Sequence, residues 1–216
     1  MHPVLLLLGG VVLVLVALKV VTFLLVQRWA ETLTFRGPVR AVEVTLDKGE
    51  VIVRGSDRRD ARVRRRLRHG LRNPRISEHV DEGVLRLEVS SGIVQYEIDV
   101  PAGASVLVRG TTVSATVVGM AGPVELRPGT GSIEGRALSA GRFSATTAAG
   151  SIRLSFDRAP DVVDVTTREG SVDLALPDGP YDVDAGDADV KVRCAAGATR
   201  RVRARSTHGP VHIHRR

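Results

Sequence analysis

The chain has 216 residues and a net charge of +7, enough length for one ordinary domain with an accessory segment. Its single cysteine, Cys194, excludes an intrachain disulfide, and an aromatic content of 3% excludes an aromatic core or a base-stacking platform. With 22 glycines, 10 prolines and β-branched residues spaced almost to the end, the composition predicts many short strands and turns rather than disorder.

Val4 to Val26 reads VLLLLGGVVLVLVALKVVTFLLV, 23 residues with one charge, Lys19. As a helix rising about 1.5 Å per residue it spans roughly 34 Å, enough to cross a hydrocarbon core of about 30 Å. Gln27, Arg28 and Trp29 supply a polar edge and an interfacial aromatic. A cleaved signal peptide fits less well, because the stretch exceeds the usual h-region of about 7–15 residues and Arg28 stands where a small side chain is required. Residues 1–30 are therefore read as a transmembrane helix with its flank, embedded in a bilayer through residues 4–26. Arg28, Arg36 and Arg40 follow the helix and no Lys or Arg precedes it, a bias that taken alone keeps the domain in the cytoplasm.

Residues 31–101 read as an N-terminal β cap. Val42–Leu46 and Glu50–Val53 flank Asp47-Lys48-Gly49, the pattern of a hairpin. Ala61–Leu67 and Val84–Val89 give two more strands, joined by an arginine-rich connection around Gly70 and Pro74, and Tyr96–Val100 leads into the repeats. Residues 58–75 hold nine arginines against one acid, Asp60. Within them Val63 and Leu67 face inward, while Arg62, Arg64 and Arg66 form an outward ladder. Together with Arg65, Arg68 and Arg72 they make the candidate surface for an anionic partner, either anionic lipid headgroups or an acidic envelope polymer.

Residues 102–216 are a strand repeat, regular from Gly122 onward. Apolar–polar–apolar units start near residues 122, 131, 141, 150, 163, 170, 181, 190, 202 and 211, a spacing of 9 to 10 residues on average. Ser144–Leu154 matches Asp164–Leu174 at an offset of 20, and Asp182–Val192 matches the latter at 18. The shared Thr-Thr-x-x-Gly-Ser element is a corner. Val165, Val172 and Leu174, with their equivalents, are expected to stack turn upon turn into one core, so the fold predicted is all-β, a β-solenoid of stacked short strands. A β-sandwich is the alternative, and it rarely keeps so even a spacing.

These corners, with the Leu-Pro-Asp-Gly-Pro-Tyr-Asp-Val run at 176–183, resemble the putative-adhesin family of bacterial β-strand-repeat envelope proteins over roughly residues 39–214. The family is named for its architecture and carries no established activity. The resemblance implies a bacterial cell envelope and a domain outside the membrane, against the charge bias behind the helix, and the extracytoplasmic side is the expectation adopted.

No motif for chemistry emerges. There is no Gly-x-Ser-x-Gly elbow, no Ser-x-x-Lys and no phosphate loop, and Gly129-Thr130-Gly131 lies between strands with no helix to receive a phosphate. Cys194 reads as a packing residue. His212 and His214 project to one side of a strand with His208 across the corner, and Asp182, Asp184, Asp187 and Asp189 form an acidic patch. Both sets are read as solvated rather than metal-binding, and neither cofactor nor nucleic acid is expected. The expected function is a non-enzymatic anchored envelope protein presenting its repeats for adhesion, scaffolding or partner binding. The alternative is a self-assembling β-helical scaffold at the membrane, against which the Arg-rich last strand argues by capping the ladder.

Overall fold

The computed structural model describes residues 27–69, 74–186 and 188–216. The apolar run at 4–26, Arg72 and Asp187 lie outside the described residues. Among those described no helix is long and apolar enough to cross a membrane. The seventeen strands among the described residues belong to one curled, mostly parallel sheet.

The strands are β1 (Gln27–Phe35), β2 (Ala41–Ser56), β3 (Ala61–His69), β4 (Arg75–Asp81), β5 (Val84–Ser90), β6 (Ile93–Pro101), β7 (Ser105–Val118), β8 (Val124–Thr130) and β9 (Ile133–Leu138). They continue as β10 (Arg142–Ala149), β11 (Ile152–Phe156), β12 (Val162–Glu169), β13 (Val172–Leu176), β14 (Asp182–Asp184), β15 (Asp189–Lys191), β16 (Arg201–His208) and β17 (Val211–Arg215). All ten predicted repeat units are thus strands. Pairing arranges them in two rows. One runs β4, β5, the first half of β2, the first half of β7, β8, β10, β12, β16, β14. The other runs β1, β3, β6, the second halves of β2 and β7, then β9, β11, β13, β17, β15.

The inward side chains of the two rows meet in one core. Val106, Val124, Phe143, Val163 and Val202 follow one another up the first row, and Ala115, Ile133, Ile152, Val172 and Val211 up the second. All are buried, each larger aliphatic contributing about 1.5–3 kcal/mol. Phe143 and Phe156 tie the rows together edge to face, ring centres 6.0 Å apart.

The corners are built by the repeated motif. A Cβ on Gly150 would stand 2.2 Å from the Gly131 carbonyl oxygen, and one on Gly170 would stand 2.4 Å from that of Gly150. Only glycine lets successive turns approach so closely, and φ near +140° at both positions demands it again. The second threonine of each motif closes the corner from inside: Thr147 donates to the Gly131 carbonyl at 3.3 Å and Thr167 to that of Gly150 at 3.0 Å.

Four features depart from the sequence reading. Gln27–Trp29, expected to continue residues 1–30 as the flank of a helix, is extended and pairs with β3 as the start of β1. Asp47-Lys48-Gly49 is not a hairpin: β2 runs straight through it and bends from one row to the other, keeping parallel partners on both halves. The arginine-rich connection hides β4, which hairpins onto β5 through Glu82 and Gly83, both at positive φ. Most telling, the Asp182–Val192 turn does not stack on Asp164–Leu174. The last turn, β16–β17, inserts between them, pairing with β12 and β13 on one side and β14 and β15 on the other.

Charge and shape explain that insertion. Stacking β14 directly on β12 would put Asp182 and Asp184 beside the row of Asp164, whereas β16 brings Arg203 between Asp164 and Asp184. Val202, Ala204, Val211 and Ile213 also continue the buried stacks, and Gly209 continues the glycine corner, its Cβ position 2.2 Å from the Gly170 carbonyl oxygen. The Arg-rich strand is therefore interior. The edge is formed by β14 and β15, three residues each.

Candidate functional surface

On β3, Arg62, Arg64 and Arg66 face outward and are exposed, while Ala61, Val63 and Leu67 are buried. Arg65 falls on the inward side of this alternation. Its guanidinium lies 2.8 Å from Glu78, with side chains 13% and 8% exposed respectively, and also pairs with Glu31 of β1. Tyr96 on β6 donates its hydroxyl to the same Glu78 carboxylate. Burial, reinforced by that carboxylate, holds the Tyr96 phenol far above its ordinary range. Since β3 and β6 belong to one row and β4 to the other, Arg65, Glu78 and Tyr96 bolt the two rows together at the cap. Arg65 is thus a structural cation and not part of the outward ladder. Arg72 and the Arg68 side chain fall outside what is described.

The outward arginines face acids on neighbouring strands. Arg64 lies 3.1 Å from Glu97 and Arg66 lies 3.7 Å from it, Arg54 bridges Glu97 at 3.5 Å and Asp99 at 3.9 Å, and Arg62 is level with Asp99. With Glu50, level with Gln95 and Arg66, four guanidiniums stand against three carboxylates, so this face has a small positive excess and is an interleaved ladder rather than a bare cationic strip. Period-2 alternation across partner strands was the signal for it, and reading β3 alone could not reveal the acids opposite.

A groove of about 750 Å³ opens beside this ladder, at the corner edge of the cap. Its lining mixes charge of both signs, Lys48 and Arg66 with Glu50, with the apolar Ala30 and Ile93, over the nearly buried Val94. Ile93, at 57% exposure, is the one large apolar side chain left this open among the described residues. Gly49, where β2 passes from one row to the other, also lines it.

The histidines and aspartates pair across strands. His212 is level with Asp173 and Asp189, its Nδ1 lying 3.7 Å from Asp189, and His214 Nδ1 lies 3.2 Å from Asp173. His208 pairs in register with Glu169 at the corner. Asp184 accepts from Arg205 at 2.8 Å and Arg203 at 3.2 Å, and these guanidiniums, Arg205 first, hold it below the usual carboxylate range. Lys191 and then His212 do the same for Asp189. No group of three or more metal-ligating side chains converges among the described residues. Cys194 is exposed, so it is not the packing residue expected.

No family model and no curated protein matches the sequence. Solved structures with a related course of chain include a putative cell adhesion protein from Clostridium sporogenes, 12% identical, with 88% of this chain and 100% of that one covered at a TM-score of 0.48. A putative lipid binding protein from Parabacteroides distasonis is 10% identical over 85% of this chain and 96% of that one, at a TM-score of 0.34. A putative adhesin from Parabacteroides merdae is 9% identical over 87% and 96%, at a TM-score of 0.30. Proteins described as adhesins thus stand among the structural neighbours, as the corner motifs led one to expect. At these identities and scores the comparisons bear on no activity.

Proposed function

We propose that the chain is a single-pass protein of the bacterial envelope, in which residues 4–26 cross the bilayer as a helix and hold a rigid, non-enzymatic β-solenoid for partner binding. The observation that carries a presenting module over a self-assembling scaffold is the different treatment of the two ends of the ladder. At one end β1, β3 and β4 run antiparallel to their neighbours, and at the other β14 and β15 are only three residues long. Neither end offers a long parallel edge for another copy to extend. Ten strands in the longer row, about 4.8 Å apart, set the far end roughly 43 Å from β1 along the ladder.

The surface offered to an acidic polymer is the net positive face of Arg54, Arg62, Arg64 and Arg66. Two measurements test the reading. Cys194, the sole thiol, is exposed, so a membrane-impermeant maleimide labels it in intact cells if the ladder lies outside and only after lysis if it lies inside. Sedimentation of the detergent-solubilised chain should give a single small species, whereas filaments would favour the scaffold.

A further inference from the structure

We propose that the outer edge of β4 accepts one extended peptide segment of a partner protein, which adds to the first row as a further strand opposite β1. This site is separate from the arginine ladder and does not depend on the bilayer.

The backbone supplies the first argument. The Gly83 carbonyl accepts from Arg40 and Ala41 on the β2 side, so by alternation Val84, Arg86 and Glu88 turn toward β4 and bond Asp81, His79 and Ser77 opposite them. Ile76, Glu78 and Val80 therefore turn their N–H and C=O groups the other way, where no described strand pairs with them. Such an edge is a template on which a peptide adds a strand.

Shape supplies the second. Counted outward from β2, the second row carries β6, β3 and β1, while the first carries β5 and β4. Among the described residues β1 thus has no strand facing it. Its inward Leu33 and Phe35 stay half-buried, as do Ile76 and Val80 on β4. A strand added to β4 covers Leu33 and Phe35 and closes this end of the core. A second copy does not fit. A two-fold that set β4 beside its equivalent would drive the copy's β3 onto this chain's β1.

Charge describes the occupant. Arg65 serves two inward carboxylates, Glu78 and Glu31, and the Glu31 side chain is 49% exposed. One acid is therefore in surplus beside the open edge, and a cation complements it. Glu31 lies at the end where β2 turns, as does Ile76, level through Val89 with Leu46. A segment running antiparallel to β4 then places two apolar side chains over Phe35 and Leu33 and a later Lys or Arg beside Glu31.

The test adds a fluorescent heptapeptide, Thr-Val-Ser-Val-Ser-Lys-Thr, to the full chain in detergent, reading anisotropy and hydrogen exchange. Binding is expected, with β4 amides exchanging about tenfold more slowly while β10 to β13 are unchanged. Val80→Pro removes an outward N–H without breaking a bond to β5 and should weaken binding about tenfold. Glu31→Gln should weaken it about threefold, and only while the peptide carries Lys rather than Gln. No binding at millimolar peptide overturns the proposal. So does binding that leaves β4 exchange unchanged, or that survives Val80→Pro in a chain of unaltered thermal midpoint. If Val80→Pro does not fold, the exchange of wild-type β4 decides alone. A dimer whose β4 is protected without peptide makes a second copy the occupant and also overturns it.

Discussion

The hydroxyl of Thr167 donates to the carbonyl of Gly150 in the preceding turn at 3.0 Å, and also to that of Glu169 at 3.2 Å, so one fully buried side chain stitches two turns at their shared corner. Replacing it with valine keeps the volume and removes both bonds, and the expected loss is about 1–2 kcal/mol. Gly150→Ala meets the Gly131 carbonyl directly and is strained at a φ of 142°, so it should cost more, about 2–4 kcal/mol. Thermal midpoints of the solubilised chain should rank wild type above Thr167→Val above Gly150→Ala. The reverse order would mean that the corners are held by the strands and not by the motif.

Arg65 and its outward neighbours should separate cleanly. Arg65→Ala leaves Glu78 nearly buried with no guanidinium beside it, and a loss of about 2–4 kcal/mol is expected. Arg62→Ala and Arg64→Ala remove exposed charges and should shift stability by less than about 0.5 kcal/mol. Denaturant midpoints for the three variants decide the matter, and equal effects would dissolve the distinction between bolt and ladder.

That distinction was half legible in the sequence. Alternation along β3 separates Arg62, Arg64 and Arg66 from Ala61, Val63 and Leu67, and the same alternation turns Arg65 inward, against its grouping with the surface arginines. What one strand cannot declare is its neighbour: Glu78 lies on a strand hidden within the arginine-rich connection, and Glu97 arrives from β6. The repeat offset of 20 is realised in space, Ser144 beside Asp164. The offset of 18 is not, because turn similarity records which residues can build a corner and not the order in which turns are laid down. Inserting β16–β17 is favoured by Arg–Asp pairing and better apolar stacks, both long-range effects invisible to periodicity.

Alkali should report on the cap. Both tyrosines are held above the ordinary phenol value, Tyr96 by burial and then its bond to Glu78, Tyr181 by burial foremost. A phenol raised in the folded state stabilises it fully below about pH 10, the unfolded value, and that contribution disappears as pH climbs toward the folded value. Absorbance of the native chain should therefore show little phenolate at pH 10, with ionisation arriving together with unfolding. Half-ionised tyrosine in folded protein at that pH would contradict the buried network.

The insertion itself is open to a charge swap. Arg203→Asp places an acid between Asp164 and Asp184, and the three in a row should loosen the edge turn. Amides of β14 and β15 are then expected to exchange about tenfold faster, while those of β10 to β13 keep their protection. Adding Asp184→Arg restores an opposite pair and should recover most of that factor. Acid gives the same readout in the wild type. Asp184 is held low by Arg205 and Arg203, so its contribution is present above the ordinary carboxylate value of about 3.9 and is lost as pH falls through the lowered one. The edge turn should thus loosen below about pH 4, before the β10–β13 core. If neither the swap nor acid moves those amides selectively, the order of turns is set by the stacking of Val202, Ala204, Val211 and Ile213 alone.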